Sequence, residues 1–315
     1  MTVAPEDGYR YSCHLLEQID SCQMATYKIR QKDAFRSVSH MRESSVHLVV
    51  TSPPYNLGKS YESRTELDKY LQPYEKFIQH LHRVLTNEGS VCWQVGNYVA
   101  DGNVIPLDVV FFPIFERAGF VLKNRIVWHF RHGLHANKRF SGRYETILWF
   151  SKSDSPTFNL DPVRVPSLYP GKRGFKGPRK GRLTGNPAGK NPSDVWADVV
   201  LDDWESCFWD FPNVKSNHPE KTVHPCQYPV ELAERCVLAL SNEGDIVLDP
   251  FLGVGTTAIA AIRHNRNFVG YELDRTFVKE ARSRVQLERR GKLATRTIGT
   301  PIPRPSGKVA QRQLE

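Results

Sequence analysis

Residues 245–261 read DIVLDPFLGVGTTAIAA, and the fold turns on this stretch. An apolar run of strand type ends on Asp249, Gly253 and Gly255 allow a tight turn, and Thr256 and Thr257 open an apolar helix. A strand, a glycine turn and a helix in that order are the grammar of an open α/β sheet, whose ligands bind beyond the carboxyl ends of the strands. The turn lacks the third glycine of a dinucleotide fingerprint, and no Gly-Lys-Ser/Thr phosphate loop follows it. A lone Gly-x-Gly is a weak signal, so its neighbours must carry the reading. Glu272 ends the next strand pattern, NFVGYEL, about 20 residues on, where an acid can accept hydrogen bonds from both hydroxyls of a ribose. The pattern therefore asks for a nucleoside without a pyrophosphate, and S-adenosylmethionine fits that description.

Outward from this stretch the same grammar repeats. VELAERCVLAL (230–240), TTAIAAIRHN (256–265) and RTFVKEARSRVQLERR (275–290) have helical spacing. Upstream, SVHLVV (45–50), SVCWQVG (90–96), FVLKNRIVWHF (120–130) and YETILWFSK (144–152) read as strands. YLQPYEKFIQHLHRVLTNEG (70–89) reads as a helix capped at Asn87 to Gly89, and VIPLDVVFFPIFERAG (104–119) as another helix. Strands alternating with helices of this length predict a mostly parallel, twisted sheet with helices on both faces.

SVHLVV runs into Thr51, Ser52, Pro53, Pro54 and Tyr55. Two adjacent prolines fix φ and remove two backbone donors, so neither strand nor helix continues through them. The turn presents a hydroxyl, free carbonyls and an aromatic ring, the parts needed to grip a flat ring bearing an amine.

From Pro162 to Ser193 there is no acidic residue but there are eight bases: Arg164, Lys172, Arg173, Lys176, Arg179, Lys180, Arg182 and Lys190. Six interleaved glycines predict a long flexible loop. DVWADVVLDDWESCFWDF (194–211) then carries six acids and three tryptophans. The basic loop reads either as a track for nucleic-acid phosphates or as a solubilising linker. A second basic stretch, RHGLHANKRFSGR (131–143), includes Arg131, Lys138 and Arg139. The net charge of +9 over 315 residues favours an acidic partner. Six scattered cysteines without a C-x-x-C pair suit reduced thiols, and no metal site is expected. No run of about 18 apolar residues and no leader pattern at MTVAPEDGYR are present, so no membrane association is expected.

TSPPYNLG together with DPFLGVGTT resembles the DNA amino-methyltransferases that act on N4 of cytosine or N6 of adenine. The Pro-Pro turn comes first and the glycine turn last, as in the circularly permuted beta-type subgroup of restriction-modification systems. KTVHPCQYPVEL (221–232), RYETILWFSK (143–152) and PSDVWAD (192–198) match further segments of that family. QKDAF (31–35) stands where it often has Gly-Asp, with Lys32 in place of the glycine.

The resemblance implies a Rossmann-like fold that binds S-adenosylmethionine. It places Asp249, Pro250, Phe251, Gly253, Gly255, Thr256, Thr257, Glu272, His224, Pro225 and Asp33 at the cofactor. It places Ser52, Pro53, Pro54 and Tyr55 at catalysis, with Ser52 favouring cytosine. Lys172, Arg173, Lys176, Arg179 and Lys180, with Arg131, Lys138 and Arg139, are the bases expected at DNA.

The division expected is a catalytic half (1–150), an inserted recognition segment (151–215), a cofactor half (216–290) and a basic tail (291–315). Duplex DNA as substrate, a bacterial or archaeal cytoplasm, a separate cognate endonuclease and a homodimer also belong to the resemblance. Adenine methylation, RNA methylation and a non-catalytic DNA-binding relative stand as alternatives. Pro225-Cys226 is the dipeptide of carbon-5 cytosine chemistry, but it precedes the glycine turn, so Cys226 reads as a buried side chain near the cofactor.

Overall fold

In the computed structural model the described residues are 25–58, 63–100, 102–130, 133, 135–167, 169–197, 211–214 and 218–296. Among these residues ten strands run in chain order: β1 (Tyr27–Gln31), β2 (Val46–Thr51), β3 (Leu85–Val95), β4 (Asn97–Ala100), β5 (Asn103–Pro106), β6 (Val121–His129), β7 (Tyr144–Ser151), β8 (Val195–Ala197), β9 (Ile246–Asp249) and β10 (Asn267–Glu272). Six helices accompany them: α1 (Ala34–Ser39), α2 (Leu67–Val84), α3 (Leu107–Arg117), α4 (Val230–Leu240), α5 (Thr256–Arg263) and α6 (Arg275–Arg289).

Eight strands form one sheet in the order β1-β10-β9-β2-β3-β7-β6-β8, and β4 and β5 make a separate hairpin. The first five are mutually parallel, β7 is antiparallel to both its neighbours, and β8 is parallel to β6. This is the mostly parallel α/β sheet expected, with one reversed strand.

Side-chain alternation along the central strands splits the core in two. Leu48, Val50, Cys92 and Val247 face α4, α5 and α6, while Val49, Val91, Trp93 and Leu248 face α1, α2 and α3. Phe77, Phe111 and Phe115 pack around Trp93 and Phe150 on the second face. The order of the strands decides where the site lies. From β2 the chain proceeds outward to β3, whereas from β9 it proceeds the other way to β10. The switch point therefore falls between β2 and β9, whose carboxyl ends carry the Pro-Pro turn and the glycine turn.

Several expectations are corrected. The second helix ends at Val84, not at a cap over Asn87 to Gly89. Leu85 is already extended, and Asn87 to Gly89 lie in β3 as an irregularity where Val46 pairs with Leu85 but Leu48 with Ser90. Val104 to Pro106 form a hairpin strand before α3 rather than its first turn.

The basic loop is not structureless. Its ends are pinned by a bridge between Val165 and Lys190, and its middle by bridges from Arg173 to Leu183 and from Gly174 to Lys180. The tail packs through its first residues, where Arg296 donates to the buried Glu231 carboxylate at 2.8 Å. Residues 198–210, most of the acidic tryptophan segment, and residues 297–315 lie outside the described part.

Candidate active site

The glycine turn is shaped by two close approaches. Gly253 has φ +52 and a Cβ there would meet His224 Nε2 at 3.4 Å. Gly255 has φ +82, opens α5, and a Cβ would lie 3.0 Å from Ala281 Cβ on α6. The first glycine thus faces the ligand side, and the second lets two helices approach.

A cavity of about 380 Å3 opens at the switch point, within the range of roughly 300–1,000 Å3 of small-molecule sites. Of the residues expected there, Ser52, Pro53, Pro54, Tyr55, Asp33, His224, Pro250, Phe251, Gly253, Thr256 and Glu272 line it. Asp249, Gly255, Thr257 and Pro225 do not. Cys226 lines it too and is exposed, not buried as its reading proposed.

Asp249 lies behind the wall, fully buried, and ties the end of β9 to the end of β2. Its Oδ1 accepts from the Thr51 hydroxyl at 2.6 Å and the Phe251 N–H at 3.1 Å, and Oδ2 accepts from the Tyr228 hydroxyl at 3.4 Å. Burial pushes its carboxyl up to about 6, with the donors from Thr51 and its other neighbours opposing the shift. Thr257 is also buried, bonding the Val50 carbonyl and the Tyr228 hydroxyl.

Glu272 is on the wall. Its Oε2 accepts from the Gly253 N–H at 2.9 Å and its Oε1 from the Asp274 N–H at 2.8 Å. Two amides fix the carboxylate, and each oxygen keeps a lone pair for a further donor. Burial raises its pKa, opposed by the backbone donors of Asp274 and Gly253. Asp33 also caps α1, accepting from the Arg36 N–H at 2.8 Å.

Around these acids stand Phe35, Phe251, Tyr271 and Phe277. Three carboxylates (Asp33, Glu272 and Asp274), one lysine and aromatic walls fit a cationic nucleoside such as S-adenosylmethionine, and offer no basic cradle for a pyrophosphate.

His224 closes one side, its ring 4.6 Å from that of Phe277. Its Nδ1 accepts the Cys226 N–H at 3.2 Å, so the ring is neutral with its proton on Nε2. Burial pulls its pKa down to about 4, Lys221 adds to the shift, and the charge of Asp274 opposes it. An unfolded histidine titrates near 6.5. Between those values the unfolded chain binds a proton the folded chain lacks, so stability falls as pH drops through that window. His224→Gln should therefore gain stability relative to wild type between pH 7 and pH 4.5 in urea unfolding; a constant difference would refute this. His218, also held down to about 4, is present in both proteins and cancels.

The Pro-Pro turn is fixed from both sides. The Tyr70 hydroxyl donates to the Pro54 carbonyl at 2.6 Å, and among the described residues the Pro53 carbonyl receives no hydrogen bond. Asn56, at φ +59, is buried and exchanges two 2.7 Å bonds with the Thr65 backbone.

The Tyr55 hydroxyl is 3.0 Å from Ser52 Oγ and donates to Glu145 Oε2 at 3.2 Å, and the Gln94 side chain donates to that same oxygen at 2.8 Å. Burial, then the Glu145 charge, holds the Tyr55 hydroxyl well above the ordinary phenol range. Glu145, Gln94, Tyr70 and Tyr228 were not singled out in the sequence. Glu145 and Tyr228 do lie in segments that resemble the family, which was the signal available.

Lys138, Arg139, Lys172, Arg173, Lys176, Arg179 and Lys180 are all exposed, while Arg131 lies outside the described residues. Phe140, Tyr169 and Phe175 stand exposed among them, at 100%, 70% and 85%. Arg164 is instead structural, bonding Asp161 at 2.7 Å and the Gly189 carbonyl at 3.1 Å. Among the described residues no three His, Cys, Asp or Glu side chains are grouped to hold a metal, and no helix is long and apolar enough to cross a membrane.

Comparison with known proteins agrees with this geometry. The family N6_N4_Mtase, DNA methylase, matches residues 46–283. The chain is 50% identical over 252 residues to Type II methyltransferase M.BglII of Bacillus subtilis, covering 80% of this chain and 66% of that protein, just under two thirds of its length. It is 32% identical to DNA adenine methyltransferase YhdJ of Escherichia coli, over 78% of each chain.

Among solved structures, PvuII DNA methyltransferase (cytosine-N4-specific) shares the fold at TM-score 0.63 and 20% identity, over 82% of this chain and 86% of that one. TTHA0409 of Thermus thermophilus, complexed with S-adenosyl-L-methionine, follows at TM-score 0.56 and 26% identity, over 84% and 94%. With both motifs brought to one crevice and the match running through both, the chain belongs to the N6/N4 family of DNA methylases.

Proposed function

We propose that the protein transfers a methyl group from S-adenosylmethionine to the exocyclic N4 amine of cytosine in duplex DNA. The observation carrying this is the meeting, in one cavity, of the Ser52-to-Tyr55 turn and the Glu272 carboxylate. The cofactor supplies a methyl group already activated on a sulfonium. The protein's task is to bring a weak nucleophile to it in line, mainly by proximity.

An aromatic amine delocalises its lone pair into the ring. A carboxylate has no proton to give, so Tyr55 must donate to Glu145, which leaves the Ser52 hydroxyl donating to Tyr55. Ser52 then offers lone pairs to one N–H of the amine, and the Pro53 carbonyl can take the other. Two such acceptors draw the nitrogen towards a tetrahedral shape and free its lone pair. The Tyr55 ring stacks on the base, which has left the duplex at a cost of a few kcal/mol. The exposed bases and aromatics of the two loops offset that cost.

Adenine N6 is the second reading, because the relative YhdJ is an adenine enzyme and the same acceptors suit its amine. Incubation with labelled S-adenosylmethionine and mixed-sequence duplex DNA, followed by digestion and mass spectrometry of nucleosides, separates them. N4-methylcytosine is the expected product. N6-methyladenine would keep the mechanism and overturn the base, and label on neither would remove the activity. A cognate endonuclease and a homodimer belong to the same reading.

A further inference from the structure

We propose that Ser52, Tyr55 and Glu145 form a proton relay that makes Glu145 the final base of methyl transfer, acting through two hydroxyls. This rests on the methyl-transfer reading above and adds to it the fate of the proton that the amine must lose.

The geometry is a chain with one direction. Ser52 lines the cavity, its Oγ is 3.0 Å from the Tyr55 hydroxyl, and that hydroxyl is 3.2 Å from Glu145 Oε2. Since the carboxylate end only accepts, both hydroxyl protons point away from the cavity. Three strands supply the parts. The turn follows β2, Gln94 sits near the end of β3, and Glu145 sits near the start of the antiparallel β7.

That reversed strand is what brings its first residues to the carboxyl ends of the parallel ones, where Thr146 pairs with Val95. Gln94 is buried and donates to the same Glu145 oxygen at 2.8 Å, which holds the acceptor behind the tyrosine. Gly96 belongs to the same arrangement: a Cβ there would come within 3.1 Å of the Tyr55 ring. The absence of a side chain at that position leaves room for the ring to sit between Ser52 and Glu145.

The step balances as follows. The amine nitrogen forms its bond to the methyl carbon while the carbon–sulfur bond breaks and sulfur keeps the electron pair. The nitrogen gives one proton to Ser52 Oγ, Ser52 passes its own to the Tyr55 oxygen, and Tyr55 passes its own to Glu145. The positive charge of the sulfonium and the negative charge of Glu145 are both gone at the end. Tyr55 accepts one proton as it releases another, so no free phenolate forms, in keeping with a hydroxyl that resists ionisation. Glu145, half-buried, then returns its proton to solvent.

Glu145 and Tyr55 can be tested on unmethylated phage DNA with tritiated S-adenosylmethionine under single-turnover conditions. Glu145→Gln keeps an acceptor for Tyr55 but cannot take a proton, and Tyr55→Phe keeps the ring but breaks the chain. Each should slow transfer by roughly a hundredfold, the low end for a general base, with cofactor affinity unchanged. The double variant should be no slower than either single one, because the residues act as a unit.

In mixed H2O and D2O the wild-type rate should follow a curved proton inventory, which becomes linear or flat in both variants. A purely positioning role for Glu145 would lower the rate and leave the curvature in place, and that result overturns the relay. So does a wild-type rate in Tyr55→Phe. Both of these leave methyl transfer itself standing, whereas no transfer by the wild-type protein removes relay and function together.

Discussion

Asp249→Ala should unfold at a markedly lower urea concentration and lose cofactor affinity in the same protein. The carboxylate is fully buried, and its removal orphans the Thr51 hydroxyl and the Phe251 N–H, while the Tyr228 hydroxyl keeps Thr257 at 2.6 Å. A buried donor left unpaired costs ~1–3 kcal/mol, so the two together cost about 2–5 kcal/mol, allowing for partial repair. That is a large share of the roughly 5–15 kcal/mol by which a domain is stable.

Asp249→Asn should behave differently. Its carbonyl still accepts from Thr51 and Phe251, and Tyr228 can turn its proton to Thr257, 2.6 Å away. The aspartate's raised pKa also matters. The folded chain holds its proton up to about pH 6, the unfolded chain only to about 3.8, so this group's contribution to stability is lost as pH rises through that window. Asparagine does not titrate, and above pH 6 the variant escapes that loss.

Calorimetry with S-adenosylmethionine should find near-normal affinity in Asp249→Asn and none in Asp249→Ala. Glu272→Ala, altered on the wall itself, should lose affinity at nearly unchanged stability. Equal loss of affinity in Asp249→Asn would restore Asp249 as a direct cofactor contact.

The contrast between these two acids marks the limit of what the sequence reveals. Both stand at the carboxyl end of a strand beside the glycine turn, and spacing alone gives them the same role. Their difference comes from β2, nearly two hundred residues earlier, whose Thr51 fills the space in front of Asp249. Periodicity reports strands and helices but not which strands become neighbours.

The helices α4, α5 and α6 were legible because their apolar positions recur at helical spacing, even with Glu231, Glu234, Arg235 and Arg284 buried among them. The edge strand β1, YKIRQ, was not: its outward residues are polar and only Ile29 is buried. Residues Leu85 to Gly89 misled for a local reason. Asn-Glu-Gly has the composition of a helix cap, yet pairing with β2 captures it as a strand irregularity. The role of Glu145 was hidden as that of Asp249 was, since its partners Tyr55 and Gln94 come from the turn after β2 and from β3.

Removing the charges of Lys172, Lys176, Arg179 and Lys180 should flatten the salt dependence of DNA binding and leave the fold and the cofactor site untouched. All four are exposed, and none has an ion pair among the described residues. Arg173 is left in place because its guanidinium holds the Gly181 carbonyl at 2.7 Å and so supports the loop. If each of the four neutralises one phosphate, the slope of log affinity against log salt becomes shallower by about 0.9 per residue, or about 3.6 for four. Extrapolated to 0.15 M salt, that corresponds to on the order of a thousandfold weaker binding.

Fluorescence anisotropy of the four-serine variant on a mixed-sequence duplex, between about 50 and 200 mM NaCl, reads both numbers. The loop's internal bridges favour this outcome, because a pinned loop presents its charges at fixed positions whereas a linker disperses them. An unchanged slope would make the loop a solubilising segment and transfer the DNA-binding role to residues 131–143. A slope that flattens for non-specific duplex while site preference persists would separate the two tasks, with phosphate contacts in this loop and base reading elsewhere.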